Sequence, residues 1–305
     1  MLHILGAGSL GLLWAARLTR AGLPCRLLLR DAQRQAEWNS RNNLLIFEQA
    51  GQREQLSIET LPISDCHEPI ERLIVATKAY EVHSALSSLP TALLNQSDCL
   101  LLQNGLGSQQ QAQALLPNAR VLFASVTDGA WCPAPGHVCW AGIGETRIGD
   151  PQGGAAPAWL NQLDRAGIVW HWDSRILEVL WLKLAVNCAI NPFTALFDCR
   201  NGEVPARAGV RLEQVIDELH SLLSIAARSP GRQALGERIH NVIQTTAGNS
   251  SSMRQDIHAR RRTEIDYILG YACREARQRG LPTPALTSLH EELQTLLDTL
   301  GLPHD

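Results

Sequence analysis

Leu2-His3-Ile4-Leu5-Gly6-Ala7-Gly8-Ser9-Leu10-Gly11 opens the chain with a four-residue apolar run that ends directly on three glycines in G-x-G-x-x-G spacing. From Leu12 to Arg20 the apolar residues fall at helical spacing, with Leu13, Ala16 and Leu18 on one side and Gly22 as a fitting stop. A G-x-G-x-x-G string alone is weak evidence; between a strand and a helix it has the context of a dinucleotide-binding turn. The first glycine permits the tight turn, the second lets the backbone approach a pyrophosphate, and the third allows close helix–strand packing. The helix N-terminus then presents free amides and a partial positive charge to the phosphates. Gly6, Ala7, Gly8, Ser9, Leu10 and Gly11 are accordingly the first cofactor-binding candidates.

A second strand is expected over Cys25 to Leu29 and ends in Leu29-Arg30-Asp31. NAD-specific folds usually place an acid at this strand end, against the ribose. Arg30 stands there instead, and an arginine suits a 2′-phosphate, so NADPH/NADP+ is the expected cofactor. Asp31 is the competing residue: facing the ribose, it would weaken that preference.

Strand-like runs recur at Leu73–Thr77, Cys99–Leu102 and Val121–Phe123, separated by helical stretches near 81–88 and 108–116. Such alternation predicts an α/β, Rossmann-type domain with a mostly parallel sheet. Residues 43–62 and 137–149 read as antiparallel hairpins attached to it. The character changes near residue 173. Segments 176–190, 206–228, 232–247, 255–279 and 284–299 all read as helices, separated by turn signals at Asn191-Pro192, Asn201-Gly202, Ser229-Pro230-Gly231 and Gly280-Leu281-Pro282. The expected organisation is a dinucleotide-binding domain over 1–173 and an all-helical domain over 174–305, joined within Val169–Ser174.

Within the helical half, Lys183, Asn187 and Asn191 are spaced i, i+4, i+8 among leucine, valine and isoleucine, which puts them on one helix face. One lysine and two amides are too few charges for a solvent face and costly to bury without partners, so the stripe is expected to line a polar cavity. A partly desolvated lysine loses part of its pKa of about 10.4 and becomes a usable proton donor. Hydride arriving from a nicotinamide, with Lys183 protonating the forming alkoxide, would reduce a carbonyl. A second stripe, Ser252, Asp256, Arg260 and Glu264, repeats at i+4; an ordinary charged helix face accounts for Asp256 and Arg260, and Asn249 or Ser252 could cap the segment.

These blocks together resemble the 2-dehydropantoate 2-reductase (ketopantoate reductase) family over essentially the whole chain. The resemblance is carried by Gly6-x-Gly-x-x-Gly11, Thr77-Lys78-Ala79, Gln103-Asn104-Gly105-Leu106-Gly107, Lys183-Leu-Ala-Val-Asn187-Cys-x-Ile-Asn191-Pro192, Asn201-Gly202-Glu203, and Asn249-x-Ser-Ser252-Met253-x-Gln-Asp256 with Arg262-Thr-Glu264-Ile-Asp-Tyr-Ile-x-Gly270. It implies NADPH-dependent reduction of ketopantoate to pantoate in pantothenate (coenzyme A) biosynthesis. It makes Lys183 the proton donor, places Asn187, Asn191, Asn201 and Ser252 on the substrate, and puts Asn104 beside both nicotinamide and substrate. Lys78, Arg30 and the backbone of Ala130 would contact the cofactor, Arg30 at its 2′-phosphate. Glu264 would help to bind the nicotinamide end and orient the catalytic groups. It further implies a helical domain similar to that of 6-phosphogluconate dehydrogenase and an active site in a cleft between the domains. The segment Val126-Thr127-Asp128-Gly129-Ala130 departs from the family pattern in being richer in small and acidic residues.

Other classes find little support. A net charge of −3 without a Lys/Arg-rich run gives no footing for nucleic acid or a membrane surface. No targeting segment and no run of about 18 apolar residues is expected. The eight cysteines are scattered without a CxxC pair, which suits buried thiols in a reducing cytoplasm. The dispersed histidines show no HxxxH or HExxH spacing, so no metal site is expected, and no G-x-S-x-G marks a hydrolase. The resemblance implies a small 2-oxo acid as the partner, and the long C-terminal helices could support a homodimer. Two alternatives stay open: a reductase of another small branched 2-oxo acid, and a non-catalytic NADP(H) sensor, which would have no use for the lysine–asparagine stripe.

Overall fold

The computed structural model describes residues 1–227 and 230–303. Met1–Gln103 with Ser108–Ile176 form one unit; Asn104–Gly107 group with the chain from Leu177 onward in a second. In the first, eight strands make one sheet in the order Trp170–Trp172, Thr146–Gly149, Arg120–Val126, Asp98–Leu101, Arg72–Val75, Leu2–Leu5, Cys25–Leu29, Glu59–Pro62. The six from Arg120–Val126 to Glu59–Pro62 run parallel, and Thr146–Gly149 pairs antiparallel with Arg120–Val126. Strands covered on both faces should be apolar almost throughout, and Ile4, Leu27, Ile74, Leu100 and Leu122 are all fully buried.

The helix Ser9–Arg20 explains how the glycine turn is held. It contacts Leu2–Leu5 and Cys25–Leu29 of the large sheet and all four strands of a smaller one. Leu12, Leu13, Trp14, Ala15 and Ala16 are therefore buried around most of its circumference, as expected of a helix that is apolar nearly all round. The smaller sheet has the order Gln52–Ser57, Leu44–Gln49, His137–Gly142, Gly129–Ala134.

The expected hairpins are only partly correct. Leu44–Gln49 and Gln52–Ser57 do form one, turning at Ala50 and Gly51 with φ of 50° and 78°, the two positive values that a twist-matched two-residue turn requires. Glu59–Pro62 instead joins the large sheet beside Cys25–Leu29. His137–Gly142 pairs antiparallel with Gly129–Ala134 and parallel with Leu44–Gln49, and Thr146–Gly149 leaves for the large sheet. The expected junction 169–174 contains an edge strand, Trp170–Trp172, of that same sheet. Alternation within a segment does not encode which distant strand it will pair with.

The second unit contains no strand among its described residues. Its first helix, Ile176–Leu196, runs through Asn191-Pro192, where a turn was expected. Interior proline disfavours a helix by about 3 kcal/mol, but continuing the helix buries Phe193 and Ala195, and one large apolar side chain alone returns about 1.5–3 kcal/mol. This helix is long and apolar enough to cross a membrane, contrary to the expectation of no such stretch, but 67% of its most apolar window is buried inside the protein. The expected 206–228 helix is split at Gly209 (φ 54°) into Val204–Ala208 and Val210–Ala226; Arg228 and Ser229 of the following turn lie outside the described residues.

The expected 255–279 helix is also interrupted. Ser252–His258 ends where Arg260 turns left-handed (φ 53°) and Arg261 closes back on Asp256 through both its amide and its guanidinium. The chain resumes as a π-helical turn, Asp266–Gly270, running into Tyr271–Gln278. Ser252, Asp256, Arg260 and Glu264 therefore do not share a helix face, and Asp256, read from spacing as solvent-facing, is 3% exposed.

Candidate active site

In the first unit, the glycines have different reasons to be glycine. Gly6 has φ 111°, and a Cβ there would lie 2.8 Å from the Thr77 amide nitrogen. A Cβ on Gly11 would collide with the Gly6 carbonyl oxygen. Gly8 is different: φ −82° and ψ −175° suit any residue, and a Cβ would meet only the Ala76 oxygen at 3.7 Å. Nothing among the described residues demands glycine at 8. Ala7 and Gly8 are exposed, and Gly8 heads the helix without a side-chain cap, leaving first-turn amides available to an anion. The turn thus fits the pyrophosphate of a dinucleotide, with Gly8 as the cradle that a side chain would fill.

Arg30 ends the neighbouring strand with its side chain 74% exposed and Nε 3.0 Å from Asp31 Oδ2. Asp31 accepts the Arg34 amide at 2.9 Å as the N-cap of Ala32–Asn39. Both interactions hold its carboxyl below the usual range. The competing acid is therefore committed to capping and to Arg30, and the guanidinium projects into solvent. Lys78 is half-buried just beyond Arg72–Val75, and Ala130 is half-buried in Gly129–Ala134.

Three residues missed by sequence reasoning shape this half. Gln103 ties two strand ends together through Nε2 bonds to the Val75 and Thr77 carbonyls, at 2.9 and 3.2 Å. The Thr77 hydroxyl, beside Gly6, is buried without a hydrogen-bond partner. Asp128, noticed only as a departure, receives the Trp140 indole N–H at 3.0 Å and the Gly144 amide at 3.1 Å, and pairs with buried Arg17 at 3.3 Å. The paired blocks Thr77-Lys78-Ala79 and Gln103-Asn104 were the available signal for the first two; a buried ion pair 111 residues apart in sequence left none.

In the second unit, Ile176–Leu196 carries Lys183, Asn187 and Asn191 on one face. Lys183 and Asn187 are half-buried and Asn191 is buried. Burial lowers the Lys183 amine to about 8, opposed by the Glu264 carboxylate. Glu264 is 5% exposed, just ahead of the π-helical turn. Cys188 Sγ contacts the Ile268 carbonyl at 3.6 Å, joining the lysine helix to that turn. Asn104 sits in a segment packed on the same turn: Leu106 donates its amide to the Tyr267 carbonyl at 2.9 Å, and a Cβ on Gly105 would collide with that oxygen.

At the other end of the stripe, Thr194 Oγ1 lies 2.8 Å from the Asn191 carbonyl and 2.6 Å from Ser251 Oγ. Ser251, not Ser252 or Asn249, caps Ser252–His258 by accepting the Arg254 amide, which leaves the Ser252 hydroxyl on an exposed residue. The Asn201 amide donates to the Asn249 carbonyl at 3.1 Å, bringing the 201–203 and 246–249 loops together. Thr246 spends its hydroxyl proton on the Val242 carbonyl at 2.6 Å, so its oxygen accepts from Asn201 Nδ2 at 2.9 Å. Asn201 is 8% exposed, and its buried Oδ1 has no donor among the described residues. Such an orphan acceptor is costly unless a ligand supplies the proton. The second unit thus holds an amine of lowered pKa acted on by a buried carboxylate and, on the 201–203 loop, a buried acceptor with no donor among the described residues.

The ketopantoate reductase PanE/ApbA model matches residues 2–153, and the ketopantoate reductase PanE/ApbA C-terminal model matches residues 175–296. The chain belongs to the ketopantoate reductase family. A 2-dehydropantoate 2-reductase from Vibrio cholerae is 35% identical over 298 residues, covering 96% of each chain. A PanE/ApbA family ketopantoate reductase structure from Ralstonia eutropha superposes with a TM-score of 0.86 at 25% identity, over 99% of this chain and 100% of that one. D-mandelate dehydrogenase with NADH and anilino(oxo)acetate gives a TM-score of 0.89 at 22% identity over 99% and 100%, a likeness of fold alone.

Proposed function

We propose that this ketopantoate reductase family member reduces ketopantoate to (R)-pantoate with NADPH, in pantothenate biosynthesis in the cytoplasm. The observation that carries the reading is the Lys183 amine, lowered to about 8 on the asparagine-bearing face of its helix. NADPH, when bound, supplies the hydride for the 2-oxo carbon. Lys183, still largely protonated at neutral pH, donates the proton to the forming alkoxide oxygen. Glu264 keeps the amine charged against its burial and orients the nicotinamide end with Asn104. Gly6, Ala7, Gly8, Ser9, Leu10 and Gly11 hold the pyrophosphate, Arg30 the 2′-phosphate, and Lys78 and the Ala130 backbone the rest of the cofactor. Asn187, Asn191, Asn201 and Ser252 hold the substrate. The division of labour is a cofactor domain over 1–173 and a substrate domain over 174–305, working as a homodimer.

A second reading, reduction of another small branched 2-oxo acid, differs in one group. Ketopantoate carries a C4 hydroxyl, and the unpartnered Asn201 Oδ1 calls for such a donor. A site built to bond a hydroxyl discriminates strongly against the analogue lacking it. The test is kcat/KM with NADPH across a panel of 2-oxo acids. Ketopantoate should exceed its deoxy analogue 3,3-dimethyl-2-oxobutanoate; an equal or higher value for the analogue favours the second reading. Cofactor binding without turnover of any 2-oxo acid would make the chain a sensor.

A further inference from the structure

Local spacing gave no expectation of a metal site, but the small sheet assembles a donor set from strands about ninety residues apart. His137 and Cys139 are i, i+2 in His137–Gly142 and so project to one face. Glu48 is the register partner of Cys139 across the parallel pairing with Leu44–Gln49. The alternate residues Leu45, Phe47 and Val138 are buried in the core, so the three donors occupy the opposite face of the sheet. His137 Nε2 lies 3.0 Å from Glu48 Oε2 and 3.7 Å from Cys139 Sγ, and one donor atom from each residue falls within 4.8 Å of the others.

We propose that Glu48, His137 and Cys139 form a binding site for a thiophilic divalent cation of the zinc class, separate from the reductase centre. Tetrahedral zinc with sulfur, nitrogen and oxygen ligands at about 2.0–2.3 Å sets its donors about 3.3–3.8 Å apart. The observed spacings need adjustments of only a few tenths of an ångström on the His137–Glu48 edge and a modest closing of the remaining one. Three protein ligands leave the fourth position to water. The cation replaces the Cys139 thiol proton, which leaves to solvent, so affinity rises with pH.

One group competes. Arg53, the cross-strand partner of Glu48, holds Glu48 Oε2 at 2.8 Å. Its side chain is 67% exposed, and an exposed ion pair of this kind contributes little, so it can swing into solvent when a cation takes the oxygen. The cation would then bind Leu44–Gln49 to His137–Gly142 through side chains as well as backbone.

The experiment is titration of the metal-free full-length protein with Co2+, followed by displacement with Zn2+. Expected are a thiolate-to-cobalt charge-transfer band saturating at one equivalent, its loss on adding Zn2+, and a higher thermal midpoint with Zn2+. Cys139→Ser and His137→Ala should each abolish the band, whereas Cys132→Ser should keep it. NADPH binding measured on the same samples establishes that each variant is folded. Absence of a thiolate band in the parent protein, or a band that survives Cys139→Ser, overturns the proposal. Should either variant fail to bind NADPH, Glu48→Gln in the parent background replaces it, with a weakened Co2+ affinity expected and an unchanged one contradicting the site.

Discussion

The Glu264 carboxylate acts on the Lys183 amine against the lysine's own burial, and the balance leaves a pKa of about 8. A buried lysine with no such neighbour would fall further, and an exposed one would stay near 10.4 and be a poor donor. Reduction needs the protonated amine, so kcat/KM for ketopantoate should hold at neutral pH and fall as pH rises through about 8. Glu264→Gln removes the charge that favours the ammonium, so the falling limb should move to lower pH. A pH–rate profile for parent and variant checks both; an unmoved limb would separate Glu264 from the lysine.

Gly8 and Gly11 should part company on substitution. Gly8→Ala meets no protein atom closer than 3.7 Å and adopts an ordinary backbone conformation, so the fold should survive and only cofactor affinity suffer, by about tenfold or more. Gly11→Ala drives a Cβ into the Gly6 carbonyl and should lower the thermal midpoint itself. Calorimetry and NADPH titration of the two variants distinguish them.

Arg30 is largely exposed and pairs with Asp31. A charge-assisted bond to a 2′-phosphate contributes about 1.5–3 kcal/mol, so Arg30→Ala should weaken NADPH by about 10- to 100-fold and leave NADH nearly unchanged. Parallel binding titrations with the two cofactors measure the ratio; equal losses for both would remove Arg30 from the phosphate.

Much of this was legible in the sequence for local reasons. The glycine turn, the strand that precedes it and the helix that follows all lie within twenty residues, and the i, i+4, i+8 stripe is a property of one helix. What escaped was set at a distance. The partners of Glu59–Pro62 and His137–Gly142 are chosen by sheet closure, and Pro192 is overridden by the burial of Phe193. The break at Arg260, closed by Arg261 on Asp256, removed the second stripe from a common face and left Glu264 buried. The cap could be read as a serine but not as Ser251, because that choice depends on Thr194 in another helix.

Asn201 offers a test on the substrate side. Its Nδ2 is held by Thr246 and its Oδ1 is free of protein donors. Asn201→Ala should lower kcat/KM for ketopantoate by about 10- to 100-fold, in line with about 1–3 kcal/mol for a buried acceptor. For 3,3-dimethyl-2-oxobutanoate, which lacks only the hydroxyl, the same change should matter little. Steady-state kinetics with both substrates close the cycle; equal losses would assign Asn201 a purely structural role.

The most direct test of the account is NADPH oxidation with saturating ketopantoate by the parent protein and by Lys183→Ala. Turnover by the parent is expected, with kcat lower by about 10²–10⁴ in the variant, the usual contribution of a positioned general acid, and NADPH affinity retained. A parent that binds NADPH without oxidising it, or a Lys183→Ala variant that keeps full kcat, would contradict it.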